Sequence, residues 1–212
     1  MLPHRLLPSC LLSLTLSLSV PHALAQDSEL FAIKNRWENI TTTMREDAQA
    51  KAMKSLAGEL ETLAARYPDS AEVFTWLGIV QASAARAEGG MGALSLVKQA
   101  RASLERAIEL DPRGSNASAY VTLGALYDKV PGWPIGFGDS DKAESMFRQA
   151  LSVRPEGIDV NYYYAVFLAD EGREAEALTH ARRAIDGTPR QGREASDEEL
   201  REEAKALVAK LG

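Results

Sequence analysis

Small side chains recur at a fixed spacing in the second half of the chain. Pro112, Pro155 and Pro189 each follow one alanine by five residues and another by twelve. The six alanines are Ala100, Ala107, Ala143, Ala150, Ala177 and Ala184, and the residues eight positions before the prolines are Leu104, Phe147 and Ala181. Residues seven apart lie on one helix face, where alanine lets a second helix approach closely. Because proline cannot continue a helix, the pattern predicts three helices that each end before a proline.

A second set of positions repeats ahead of these three helices. They are Phe74, Leu77 and Gly78, then Tyr120, Leu123 and Gly124, and more weakly Asn161, Tyr164 and Ala165. Their recurrence predicts a further helix before each alanine helix, and therefore three helical hairpins. Residues 158–191 form a unit of 34 residues, and the two preceding units are roughly ten and seven residues longer.

This register resembles the tetratricopeptide repeat, which combines large, Leu-Gly and Tyr positions with Ala, large, Ala and Pro positions. Tyr127, Gly138 and Gly172 match further tyrosine and turn-glycine positions of that repeat. The resemblance implies an all-α fold, a right-handed solenoid of helical hairpins with a C-terminal capping helix. We divide a single domain at 26–212 into degenerate N-terminal helices at 26–69, repeats at 70–114, 115–157 and 158–191, and a capping helix at 196–211.

Helical patterns also flank the three hairpins. A stripe of apolar residues precedes them at Leu30, Ile33, Trp37 and Ile40. Thr43 with Glu46 predicts a capping box that opens the next helix. That helix runs to about Tyr67, and Pro68 closes the unit. In place of the two alanines and the large residue it carries Leu56, Leu60 and Leu63. Ser196 with Glu199 predicts the start of the final helix, which would cover the open apolar side of the last repeat.

The first 25 residues resemble a secretory signal. Arg5 precedes an apolar stretch at 6–20, and Ala23 and Ala25 supply a small-x-small cleavage site. We expect cleavage after Ala25 and a periplasmic or secreted protein. A retained anchor is the alternative, although the stretch is short for a membrane span.

Composition narrows the classes of partner. The chain carries 24 Lys and Arg against 30 Asp and Glu, a formal net charge of −6, and no long basic run. This balance argues against nucleic acid and anionic membrane surfaces, and no later segment is apolar enough for stable membrane insertion. The one cysteine, Cys10, lies in the predicted leader, so the mature chain would have neither disulfides nor thiol chemistry.

Few residues suit catalysis. His180 is the one histidine beyond the leader and is interpreted as a surface residue of a helix. Asp139 and Asp141 stand where a helix begins, so we interpret them as capping residues rather than a metal site or an acid pair. The chain has no glycine-rich phosphate loop and no Gly-x-Ser-x-Gly motif. We therefore predict a protein that is not an enzyme and binds no metal or cofactor.

The extra residues of the first two repeats fall mainly in the turns within the hairpins. Because equivalent turns of stacked hairpins line up along one edge, these two loops should lie side by side. The first contains Met91 between glycines, and the second, residues 130–138, contains Trp133, Ile135 and Phe137. Such residues either fold under the loop as a small core or contact a partner.

The first helices of the repeats should present an inner binding face, as in the repeat family. Its central positions are small and apolar, and we select as candidate contacts Ile79, Val121, Tyr162 and Val166. The inner groove therefore either binds something apolar or is filled by tight winding of the solenoid. Of the adjacent rings of Tyr162, Tyr163 and Tyr164, we expect two in the core and one in the groove.

Residues 126–143 and 155–162 also resemble exported helical-repeat proteins, the T components of TRAP-type transporters. That resemblance implies association with a periplasmic solute-binding protein and a small hydrophobic ligand, although the family's lipid-anchoring cysteine is missing here. Two functions are thus predicted: a scaffold that binds a protein through its groove or loop edge, and a T-component-like accessory protein.

Overall fold

The computed structural model describes residues 20–113 and 117–212, which form nine α-helices and no strand. The helices are α1 (Val20–Thr42), α2 (Glu46–Arg66), α3 (Ala71–Glu88), α4 (Ala93–Leu110), α5 (Ser118–Lys129), α6 (Ser140–Val153), α7 (Ile158–Asp170), α8 (Glu174–Asp186) and α9 (Glu194–Leu211). A short 3-10 turn, Gly90–Gly92, precedes α4. Most of the predicted leader lies outside the described residues, and α1 begins before the predicted cleavage site.

The helices pack as successive hairpins. α3 packs on α4, α5 on α6 and α7 on α8, and each hairpin contacts the next. The first helices of the hairpins, α3, α5 and α7, also contact one another in series, so they line one side of the solenoid. α9 packs on both α7 and α8, as the first helix of a further hairpin would. The predicted all-α solenoid with a C-terminal capping helix is confirmed.

The recurring small residues lie inside the hairpins. The six repeated alanines and the three residues at the large position are at most 2% exposed. A Cβ atom on Gly78 would lie 2.5 Å from Cγ of Leu104, and one on Gly124 would lie 3.0 Å from the Phe147 ring. Glycine on the first helix thus makes room for a large side chain on the second, as the sequence pattern indicates.

Replacing Ala150 with leucine should destabilise the second hairpin. Ala150 is fully buried in α6, so the added carbons would enter a packed contact and lower the free energy of unfolding by about 1–3 kcal/mol. Urea denaturation measures this loss. The matched control is Ala209→Leu on the exposed face of α9. If Ala150→Leu unfolds at the wild-type midpoint, the assignment of this helix face is incorrect.

Two predicted helix starts are wrong. The Thr43 hydroxyl does not cap α2 but donates to the Asn39 carbonyl at 2.8 Å, because α1 extends to Thr42 and leaves that carbonyl nearby. α2 therefore begins at Glu46 without a side-chain cap. Ser196 does not begin α9, which starts two residues earlier. Instead, the Ser196 backbone N–H donates to the Glu38 carboxylate of α1 at 2.7 Å.

Candidate functional site

The concave side of the solenoid holds a cavity of about 400 Å³ that is partly open to solvent. Helices α1, α3, α5, α7 and α9 all contribute side chains to its walls. The first and last helices meet here, since Glu38 of α1 accepts the Ser196 N–H bond and lies 3.6 Å from Nε of Arg193. This contact joins the first and last helices of the solenoid beside the cavity.

One end of the cavity is apolar and lies toward the loop edge of the hairpins. Its wall residues are Ile79, Ala82, Ala85, Val97, Val121, Ala125, Leu126 and Val130. Two of the predicted inner-groove residues, Ile79 and Val121, are among them. The hydroxyls of Thr41 and Thr122 also reach the cavity, but each donates to a carbonyl of its own helix. This end therefore offers an occupant aliphatic side chains and two exposed cations, Arg86 and Lys129.

In the third repeat, the residue that lines the cavity differs from the two predicted ones. Tyr162 and Val166 do not line it, because α9 packs over α7, and the Tyr162 hydroxyl bonds to Glu203 of α9. Burial, reinforced by Glu203, raises the pKa of Tyr162. Tyr163 lines the cavity instead, while the Tyr164 ring is buried 5.7 Å from that of Phe147.

The opposite end of the cavity is formed by a buried ionic network. Arg190, in the link between α8 and α9, donates from Nε to Asp197 at 2.9 Å and lies 2.8 Å from Asp159. Asp159 also pairs with Arg154. The side chains of Asp159 and Asp197 are 6% and 1% exposed. Burial alone would raise the pKa of Asp159, but the charges of Arg190, Arg154 and Arg193 outweigh it and hold that pKa below its usual value.

Arg193 lies beside this network at the polar end. Its guanidinium stands over the Trp37 ring at 4.2 Å and the Trp76 ring at 5.3 Å. Burial, together with repulsion from Arg190, lowers the pKa of Arg193 to about 10. Sequence reasoning missed both arginines, since the link that follows Pro189 is polar and carries no recognisable spacing.

The two long loops lie side by side, as predicted, and flank a cleft of about 350 Å³. The cleft is lined by Met91 and its neighbours from one loop and by Val130, Pro131 and Ile135 from the other. Val97, Lys129 and Val130 line both the cleft and the cavity on the concave side. The apolar end of the cavity is therefore continuous with the loop edge.

The large apolar residues of the loops divide into buried and exposed ones. Phe137 folds under the loop, with its ring 5.6 Å from that of Tyr127. Trp133, Ile135 and Met91 are 90%, 63% and 87% exposed. Phe137 thus follows the first alternative drawn from the sequence, and contact of the other three residues with a partner stays a prediction.

The second loop is held in place by its backbone. The Gly138 N–H donates to the Pro131 carbonyl at 3.0 Å, and the Asp139 N–H donates to the Tyr127 carbonyl at 2.9 Å. A Cβ atom on Gly138 would lie 1.9 Å from the Val130 carbonyl oxygen, so only glycine fits this close approach. The loop presents its exposed side chains from a fixed base.

Asp139 and His180, which were considered as candidates for catalysis or metal binding, both make structural contacts. Asp139 caps α6 by accepting the Lys142 N–H bond at 3.0 Å, as predicted. His180 is half-buried rather than on the surface, because its Nδ1 lies 2.8 Å from the Asn161 amide oxygen and its ring packs on Tyr164. Within residues 20–113 and 117–212, no three His, Cys, Asp or Glu side chains are grouped to hold a metal ion. No helix in that part of the chain is long and apolar enough to span a membrane.

Comparison with known proteins gives one short relationship to curated sequences. A segment of 47 residues, 22% of this chain, is 45% identical to the protein O-mannosyl-transferase TMTC1 of Homo sapiens and to that of Mus musculus. The segment spans 5% of the length of either transferase.

The fold has a relative among solved structures. The crystal structure of TTC0263, a thermophilic TPR protein in Thermus thermophilus, superposes with a TM-score of 0.57 at 22% identity, covering 90% of this chain and 95% of that one. Residues 135–192 match the tetratricopeptide repeat family. Neither comparison bears on the resemblance to TRAP T components, which stays a prediction. Residues 135–192 thus match a tetratricopeptide repeat, and the chain as a whole has a fold similar to that of a TPR protein.

Proposed function

We propose that the protein is an exported, non-catalytic scaffold that binds a partner protein at its loop edge. Repeats of this family generally form scaffolds for protein–protein interaction. The observation that supports the loop edge is the exposure of Met91, Trp133 and Ile135 on two adjacent loops beside a cleft. Buried aromatic anchors dominate the energetics of protein interfaces, and an exposed tryptophan on a fixed loop is suited to that role.

Photo-crosslinking in intact cells tests this proposal. With a photoreactive phenylalanine analogue at Ile135, we expect one dominant crosslinked protein, because Ile135 borders the cleft. Adding Trp133→Ala should lower its yield about tenfold or more, the usual effect of truncating a central interface residue. The control site is Gln149, exposed on α6. An identical set of products from Ile135 and Gln149, or a yield unaffected by Trp133→Ala, would contradict binding at the loop edge.

A second candidate function is a T-component-like accessory role in TRAP-type transport. In that role the protein would associate with a periplasmic solute-binding protein and hold a small apolar ligand. The cavity favours it, because 400 Å³ is within the ordinary range for ligand pockets and one end is lined mainly by aliphatic side chains. A crosslinked product identified as a solute-binding protein would support this candidate.

A further inference from the structure

Arg193 is a buried cation whose hydrogen-bonding capacity is only partly used. Its side chain is 14% exposed and lines the cavity. Nε donates to the Ser196 hydroxyl at 3.2 Å, whereas the two terminal nitrogens have no hydrogen-bond partner among the described residues. The nearest carboxylate, Glu38, comes no closer than 3.6 Å, and its Oε2 is itself buried without a hydrogen bond. The pair is therefore incomplete, which is unusual for charges removed from water.

Two of the cations that line the cavity, Arg190 and Arg193, are buried. Arg190 is held by Asp159 and Asp197. Among carboxylates, Arg193 has only the 3.6 Å contact with Glu38. Arg193 is therefore the buried cation of the wall that is available to an anionic occupant.

We propose that the cavity binds a small monocarboxylate with an apolar tail, whose carboxylate is held by Arg193. This inference rests on the second candidate function, the ligand-binding one. The Trp37 ring lies 4.2 Å from the guanidinium and restricts its position, and the terminal nitrogens are left for a carboxylate. The tail extends from this polar end along Ile79 and Val121 toward the loop edge, where the walls are aliphatic.

A peptide is a poor fit for the same cavity. Its backbone amides would each need a hydrogen-bond partner when buried. The threonines that reach the cavity already donate to their own helices, and apart from the exposed cations Arg86 and Lys129 the remaining walls at the apolar end are aliphatic. An alkyl or similar apolar tail requires no such partners.

Calorimetric titration with two probes of equal chain length tests the proposal. The probes are decanoate and decanol, added to the purified protein after bound lipid has been removed on a hydrophobic resin. Decanoate should bind at least tenfold more tightly than decanol, because a charged hydrogen-bonded pair contributes more than a neutral hydroxyl. Glu38→Gln should tighten decanoate binding further, since it removes the carboxylate that competes for Arg193.

A double variant removes the guanidinium of Arg193 together with the charge of Glu38, which would otherwise stay buried and unpaired. In the double variant Arg193→Met, Glu38→Gln, decanoate affinity should fall to that of decanol while decanol affinity stays unchanged. Ala125→Phe, which fills the apolar end, should abolish binding of both probes, whereas Trp133→Ala on the exposed loop should affect neither. Circular dichroism confirms that each variant is folded.

The outcomes separate this proposal from the function on which it rests. Equal binding of the two probes, or a preference for decanoate that survives in the double variant, overturns the role of Arg193 but leaves an apolar ligand site. Binding of neither probe overturns the ligand-binding function itself. Decanoate binding that Ala125→Phe does not reduce places the probe outside the cavity and overturns both.

Discussion

Replacing Arg190 with methionine is expected to lower the free energy of unfolding by about 3–5 kcal/mol, as measured by urea denaturation at neutral pH. Methionine approximates the size of the side chain but leaves Asp197, 1% exposed, without its guanidinium partner. Asp159 retains Arg154 and loses its second cation. The cost comes mainly from the buried carboxylate left unpaired, since removing one member of such a pair costs more than removing both.

Two variants control for this interpretation. The double variant Arg190→Met, Asp197→Asn removes the unpaired charge and should recover part of the loss. Arg148→Met, at a pair with Glu144 whose arginine side chain is 66% exposed, should leave the unfolding midpoint unchanged. A midpoint for Arg190→Met equal to that of Arg148→Met would show that the network does not stabilise the fold.

The effect of Arg190→Met should also depend on pH. The pKa of Asp159 is lower in the folded protein than in the unfolded chain, so its contribution is present above the unfolded pKa and is lost as pH falls through the folded pKa. The stability difference between wild type and Arg190→Met should therefore shrink below about pH 4. A difference that stays constant into this range would contradict the ionic origin of the effect.

Replacing Phe147 with alanine is expected to lower the free energy of unfolding by about 3–5 kcal/mol. Phe147 is fully buried, packs over Gly124, and has its ring 5.7 Å from those of Tyr164 and Phe167. Truncation leaves a cavity between the second and third hairpins that these rigid rings cannot fill.

The matched control for Phe147→Ala is Phe31→Ala, because Phe31 is 61% exposed on α1. Thermal unfolding followed by circular dichroism compares the two. The first variant should melt well below wild type and the second close to it. Equal melting temperatures would mean that Phe147 does not belong to the core between the hairpins.

Much of the fold was predictable because it depends on residues that repeat. The alanine and proline register placed three helices, and the recurrence of Gly78 and Gly124 placed a further helix before each of the first two. The adjacency of the two long loops also followed, because hairpins of one period stack in one orientation. The positions of the helices and the adjacency of the loops can therefore be predicted from periodicity before any tertiary contact is known.

The rest of the candidate site depends on contacts between distant segments. Nothing in the local sequence around Glu38 indicates that it meets Arg193 and Ser196 more than 150 positions away. The packing of α9 over α7 is likewise a contact between distant segments, and it leaves Tyr163 rather than Tyr162 facing the cavity. The partial burial of His180 also depends on a contact between helices, since its Nδ1 lies 2.8 Å from the Asn161 amide oxygen on α7.

The contact between the first and last helices shapes the cavity, and intramolecular crosslinking tests it most directly. In a Cys10→Ser background, Asn39→Cys on α1 and Ala195→Cys on α9 place thiols next to Glu38 and Ser196. A short bismaleimide should join this pair rapidly in the folded protein and should not join Asn39→Cys with Gln149→Cys on α6. Crosslinking of the first pair no faster than that of the second would contradict the contact between α1 and α9.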